Sequence, residues 1–409
     1  MTNSLADQRS LLHLALRAEW ASAEARHVDV RHFEKFNVWR DLDLLPPALQ
    51  GDIPGQGVGR RESRPFSAGE SVPPWSAANV YAIQDHQFNR QFRPGVEITP
   101  RLGRFYPQAM VRGAARGFDE ARMPMRLVGI EGERLTFDLN HPMAGVDMSL
   151  GVEVVDISPA PAEHGGRCTD ALHELMQGPG IQARYRGRPT DFLSGEALRI
   201  ASEIADRAFY AMPRLVNHLD ARALAEVTGL YRALLPAGSR VLDLMASWNS
   251  HLPEDLELPG VVGLGLNREE LEANPRLDER LDHDLNETAE LPFADASFDA
   301  VVCTASVEYL RDPVEVFREV RRILRPGGVF ANSFSNRWFP GRAIALWPDL
   351  HEFERMGLVS EYFLRAGGFE DLNTLSVRGL MRPDDDPHIG STLWSDPVYA
   401  VWGFRSSTS

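Results

Sequence analysis

The chain has 409 residues, 43% apolar and 25% charged, an ordinary globular composition that excludes a disordered or fibrous class. Its formal charge of −15, with no basic run, argues against nucleic acid as a partner. One lysine, Lys35, stands among the 43 basic residues. A P-loop lysine is therefore missing, and a Schiff-base enzyme would have to use that single side chain.

Two cysteines, Cys168 and Cys303, lying far apart in sequence make no disulfide framework and no zinc motif and fit a reducing compartment, and the 12 histidines are scattered without ligand spacing. The N-terminus reads as an amphipathic helix without a signal peptide, and no apolar run approaches the roughly 20 residues that span a bilayer. The expectation is a soluble, cytoplasmic protein with no membrane partner.

In chain order, residues 5–40 place Leu11, Leu12, Leu14, Leu16 and Trp20, then Phe33, Phe36 and Trp39, at spacings that predict helix. Residues 45–75, rich in Pro, Gly and Ser, read as a linker, so 1–75 is a helical segment and linker. From about 125 to 157 the period becomes two. Leu135, Phe137 and Leu139 alternate with Thr136 and Asp138, and Met148, Leu150, Val152 and Val154 with Ser149, Gly151 and Glu153. These predict antiparallel strands of a smaller β domain over 76–158, turning at Glu131-Gly132 and at His141–Gly145. A second linker, beginning with SPAPAEHGGR at 158–167, fills 159–194.

Helical patterns follow at roughly 196–211 and 219–234. From 239 onward, short apolar strands (SRVLDL, VVGLGL, FDAVVCTAS, GVFANSF) alternate with helices such as PVEVFREVRRIL. This predicts a parallel sheet covered on both faces, extended by late strands near 371–377 and 396–405.

The segment ETAELPFADASFDAVVCTASVEYLRDPVEVFREVRRILRPGGV at 287–329 resembles class I S-adenosylmethionine-dependent methyltransferases of the small-molecule type, over about residues 195–409. The resemblance implies an α/β, Rossmann-like seven-stranded domain, S-adenosyl-L-methionine as cofactor, and methyl transfer to a small-molecule substrate. One half of the cofactor framework departs from the family. Val241-Leu242-Asp243-Leu244 leads not into a glycine-rich loop but into Met245-Ala246-Ser247-Trp248-Asn249-Ser250-His251, and Pro253 and Pro259 cut short the helix after it. Gly265 stands where the family places an acid on the ribose hydroxyls. Asp284, followed by Leu285, matches the acid facing the adenine amine. Two readings stay open: a scaffold that has lost its cofactor, or a reshaped pocket. In the second, Asp243, Met245, Ser247, Trp248, Asn249, Gly265, Asn267, Asp284, Leu285 and Thr304 hold the cofactor, and Ser247, Asn249 and Asn267 replace the lost polar contacts.

On the substrate side the resemblance implies a helical lid at FYAMPRLVNHLD (209–220). With Pro213 at the first helical position, Arg214 and His218 share one face, and Tyr210 lies just before them. Arg214 would hold a carboxylate, and His218 would act as a base where the nucleophile carries a proton, with His251 as its rival. Tyr309, beside Glu308, follows the fourth strand. Asn336 and Arg337 follow the fifth, at the strand ends where open α/β sheets bind ligands.

Further upstream, FDLNHPMAGVDMSLGVEVVDI (137–157) resembles the closing segment of SlyD-type FKBP proteins, which are peptidyl-prolyl isomerases and chaperones. Asn140-His141-Pro142-Met143-Ala144-Gly145 stands at that family's N-H-x-L-A-G turn, and the similarity covers about residues 95–157. The family's opening strand and I-P-G-L-E helix are not found. The resemblance implies an accessory FKBP-like domain that forms a homo-oligomer, covers the active site or binds a client protein. The leading expectation is a small-molecule methyltransferase. Its alternatives are a non-catalytic folding or assembly factor, and cyclisation or cleavage of S-adenosylmethionine.

Overall fold

A computed structural model of the chain describes residues 5–93, 95, 97–113, 122–159 and 166–407; part of the expected 158–167 linker lies outside them. Two antiparallel strands open the fold, β1 (Ser10–Ala21) and β2 (Arg26–Asn37). This corrects the helix expected over 5–40. Leu12, Leu14, Leu16, Ala18 and Trp20 are all buried, and only a period of two puts all five on one face. Helices α1 (Val38–Asp41) and α2 (Pro47–Gln50) follow, and the expected linker contains an edge strand, β3 (Arg61–Phe66).

Strands β4 (Val80–Gln84), β5 (Phe105–Pro107), β6 (Pro124–Glu131) and β7 (Arg134–Asp138) make a small antiparallel sheet in the order β4-β7-β6-β5. The β6–β7 hairpin turns at Glu131–Gly132 as expected. The second expected hairpin is not formed. β8 (Met148–Pro159) leaves the small sheet and pairs with β1 and β3, so the Asn140–Gly145 turn passes between two sheets.

The 166–194 segment is also more than a linker: it forms α3 (Ala171–Met176) and buries Ile181 and Phe192 in the main core. Of the helix expected over 196–211 only α4 (Asp206–Phe209) exists, while α5 (Ala221–Leu234), capped by Asp220, matches its pattern.

The rest alternates as expected: β9 (Val241–Leu244), β10 (Val261–Gly265), α6 (Arg268–Ala273), β11 (Glu279–Asp282), β12 (Phe298–Thr304), α7 (Pro313–Ile323), β13 (Leu324–Phe334), α8 (Glu352–Ala366), β14 (Phe369–Arg378) and β15 (Val398–Arg405). No helix joins β9 to β10, consistent with the two prolines there. Strands run β11-β10-β9-β12-β13-β15-β14, with β15 antiparallel to both neighbours. The sheet does not end there. β14 pairs in parallel with β2, so β2-β1-β8-β3 continue it to eleven strands among the described residues.

The seam is polar and buried. Asp29 on β2 accepts from Ser376 Oγ on β14 at 2.8 Å and from Trp20 Nε1 at 2.8 Å, and His27 meets Thr374 Oγ1 at 2.8 Å. Among the described residues no helix is long and apolar enough to cross a membrane, and no group of three or more His, Cys, Asp or Glu could hold a metal ion.

Candidate functional site

β10 and β12 flank β9 on opposite sides, and the chain crosses over between them, a point where open α/β sheets leave a crevice at the strands' carboxyl ends. A cleft of about 1140 Å³, counting its open mouth, lies there. Asp243 and Met245 reach it from β9, Gly265 and Asn267 from β10, Asp284 and Leu285 from beyond β11, and Thr304 and Tyr309 from β12. Tyr210, Arg214 and His218 close it from the segment before α5. Ser247, Trp248, Asn249 and His251 line it from the glycine-free loop.

The loop keeps a left-handed turn without glycine. Met245 has φ 61° and His251 φ 54°, and Ala305 across the cleft has φ 47°. Side chains with a Cβ are uncommon there and carry strain of about 1–3 kcal/mol each, a feature that clusters at functional sites. Asp243 is buried, and its Oδ2 has no hydrogen-bond partner. Burial pushes its carboxyl up to about 7, against the opposing hydrogen bond from Ser250.

The polar residues of the loop and its neighbours hold the lid. Trp248 Nε1 donates to the Val216 carbonyl at 3.0 Å, Asn249 Nδ2 to Asn217 Oδ1 at 3.4 Å, and Asn267 Nδ2 to the Tyr210 carbonyl at 2.8 Å. Ser247 Oγ donates to Glu270 Oε2 at 2.6 Å, and Glu270 Oε1 accepts the Arg214 backbone N–H at 2.7 Å. The lid itself is not the helix expected after Pro213. Residues 211–219 run without helix, so Arg214 and His218 meet the cleft by chain path and not by a shared helical face.

Arg214 is not a free anion clamp. Its guanidinium lies 4.6 Å from the Phe209 ring centroid and 5.4 Å from that of Phe339, and donates to the Phe209 carbonyl. His218 packs edge-on against Phe339 at 5.1 Å, and burial lowers its pKa. Burial lowers His251 further, to about 4. Tyr309 Oη accepts from the Phe339 backbone N–H at 3.0 Å, and Thr304 Oγ1 pairs with Tyr231 Oη at 2.6 Å.

Asn336 and Arg337 do not line the cleft. Asn336 is tied to Glu352 and Arg355, while Arg337 lies at the rim near Asp396 with its Nε donating to the His218 carbonyl. Sequence reasoning missed Phe339 as a wall, and also Asn217, His283 and Glu270. Glu270 offers no signal that separates it from the exposed acids beside it in REELE.

The strand order β11-β10-β9-β12-β13-β15-β14 defines a Rossmann-like α/β domain with a methyltransferase-like fold. A family described as "Methyltransferase domain" matches residues 254–332. The chain is 43% identical over 91 residues to a protein of Mycolicibacterium smegmatis named as a probable S-adenosylmethionine-dependent methyltransferase, covering 22% of this chain and 35% of that one. It is 32% identical over 127 residues to the 27-O-demethylrifamycin SV methyltransferase of Amycolatopsis mediterranei, covering 27% of this chain and 44% of that one. A third relative, methyltransferase GfsG of Streptomyces halstedii, is 36% identical over 77 residues, 17% of this chain and 28% of that one. The chain thus spans less than half the length of each of these three relatives.

Proposed function

We propose that the protein transfers a methyl group from S-adenosylmethionine to a small molecule bound in this cleft. The observation that carries the reading is Asp243 Oδ2, a buried acceptor without a partner on the cleft wall at the strand crossover. A carboxylate left so costs free energy, and a cationic amino group beside it would recover that cost. Asp284, lining the opposite side of the cleft, would take the adenine amine; its Oδ1 already accepts the Asn286 backbone N–H at 2.9 Å. Asp243 and Asp284 would thus give the cofactor two carboxylates, while the ribose position at Gly265 is bare.

When bound, the cofactor supplies an already activated methyl group, so the protein's task is alignment and exclusion of water. The lid, held by Trp248, Asn249, Asn267 and Glu270, does the excluding. His218 is the preferred base for an alcohol or thiol nucleophile. Its lowered pKa keeps the imidazole neutral at pH 7, Phe339 fixes its ring, and Arg337 steadies its backbone. His251, lowered to about 4, is the weaker base. A small-molecule acceptor accords with a relative named for 27-O-demethylrifamycin SV.

Isothermal titration with S-adenosylmethionine and S-adenosylhomocysteine tests the reading, followed by transfer of labelled methyl to a panel of hydroxylated small molecules. Binding of both cofactor forms is expected. Absence of heat at high micromolar ligand would leave the domain a scaffold.

A further inference from the structure

Three carboxylates line the cleft among the described residues: Asp243, Asp284 and Glu270. Asp243 belongs to β9 and Asp284 follows β11, and β10 lies between those strands. The middle strand ends in Gly265, and that position has no room for an acid. A Cβ on Gly265 would stand closer than 3.0 Å to the Ala246 carbonyl oxygen, and that backbone is fixed by the Ala246 N–H donating to Leu264 at 2.7 Å. The loop backbone occupies the space that a side chain at 265 would need.

Five residues further on, Glu270 on α6 lines the same cleft. It is 8% exposed, and Asn267 Oδ1 accepts its backbone N–H at 3.0 Å. A carboxylate offers about four lone-pair sites. Ser247 Oγ and the Arg214 N–H take one on each oxygen, which leaves one on each oxygen for a further donor. Two hydroxyls on adjacent carbons match that remaining pair, and an acid on the ribose hydroxyls is a general device of Rossmann-type sites.

Resting on the cofactor reading above, we infer that Glu270 binds the ribose diol of the cofactor, in place of the acid absent at position 265. Because the same carboxylate ties the loop to the lid, diol binding and lid closure then share one side chain. A cofactor lacking the diol leaves Glu270 as a strut alone.

The test is titration calorimetry of wild type, Glu270→Gln and Glu270→Ala with S-adenosylhomocysteine and with its 2′,3′-dideoxyribose analogue. Wild type should prefer the diol by about tenfold to a hundredfold, the range of hydrogen bonds to a charged group. The alanine variant should bind the two ligands alike, and the glutamine variant, which keeps one uncharged acceptor, should show a reduced preference. A variant that binds more weakly but keeps the wild-type preference would make Glu270 a strut only and overturn the inference. Equal binding of both ligands by wild type overturns it as well while leaving the cofactor reading intact. If wild type binds neither, both fall. The near-isosteric glutamine variant keeps the comparison valid should the alanine variant fail to fold.

Discussion

Trp248 donates its indole N–H to the Val216 carbonyl oxygen at 3.0 Å, so a tryptophan in a strand-end turn holds the segment that covers the cleft. Asn249 repeats the arrangement one residue on, toward Asn217. The loop has exchanged close backbone approach, which glycines permit, for a set of side chains that grip the lid.

Trp248→Phe keeps a flat aromatic ring and removes the indole N–H together with the second ring. A net hydrogen bond of about 1 kcal/mol should be lost from lid closure and not from the whole fold. Amide hydrogen exchange over residues 214–218 is expected to speed up by roughly fivefold, with the global unfolding midpoint nearly unchanged. Unaltered exchange there would mean that Asn249, Asn267 and Glu270 hold the lid without the tryptophan.

An acid at position 265, where the family that the sequence resembles carries one, should damage this protein. Gly265→Asp drives a Cβ into the Ala246 carbonyl, and overpacking of this kind costs about 1–3 kcal/mol. Urea denaturation should show that loss, and Gly265→Ala should show most of it, since the conflict begins at Cβ. A Gly265→Asp variant as stable as wild type would mean that the loop yields easily.

Much of the domain was legible because its signals are local. LPFADASFDAVV and LRPGG mark turns and a buried strand by residue chemistry alone, and β12, α7 and β13 fall there. The cleft wall followed from strand ends. What failed depended on distant partners. Apolar residues as dense as Leu11, Leu12, Leu14 and Leu16 admit a helix until pairing with β8 and β2 on either side selects the period of two that runs to Trp20. The strands either side of Asn140–Gly145 alternate correctly, yet period alone does not say which sheet each joins. Glu270 stayed hidden because its role depends on Ser247 and Arg214, neither of which is its neighbour in sequence.

The seam between β2 and β14 predicts one cooperative unit. Asp29 is fully buried and accepts from Trp20, Ser376 and, at 3.4 Å, Gln182, so Asp29→Ala leaves three donors without their acceptor. A loss of about 2–3 kcal/mol is expected. Far-ultraviolet dichroism and tryptophan fluorescence should move together to the lower midpoint. Two separated transitions, with only one displaced by the substitution, would show that β2-β1-β8-β3 unfold apart from the remainder of the sheet.

Glu308 gives stability a dependence on pH that runs opposite to that of a paired carboxylate. Its side chain is fully buried, and neither oxygen has a hydrogen-bond partner. Burial pushes its carboxyl up to about 8 from an ordinary 4.5. Below 4.5 the group is protonated folded and unfolded alike, so it costs nothing. Between 4.5 and about 8 the unfolded chain releases its proton while the folded chain keeps it, so stability falls steadily as pH rises. Glu308→Gln stays neutral and removes that slope. Urea unfolding of both proteins at pH 5, 7 and 9 should show a difference that grows with pH, reaching on the order of 2–4 kcal/mol in favour of the variant at pH 9. The difference isolates this group, because every other acid contributes to both proteins alike. A gap that stays constant from pH 5 to 9 would mean that Glu308 finds a partner when ionised, and Arg355 is the cation placed to provide it.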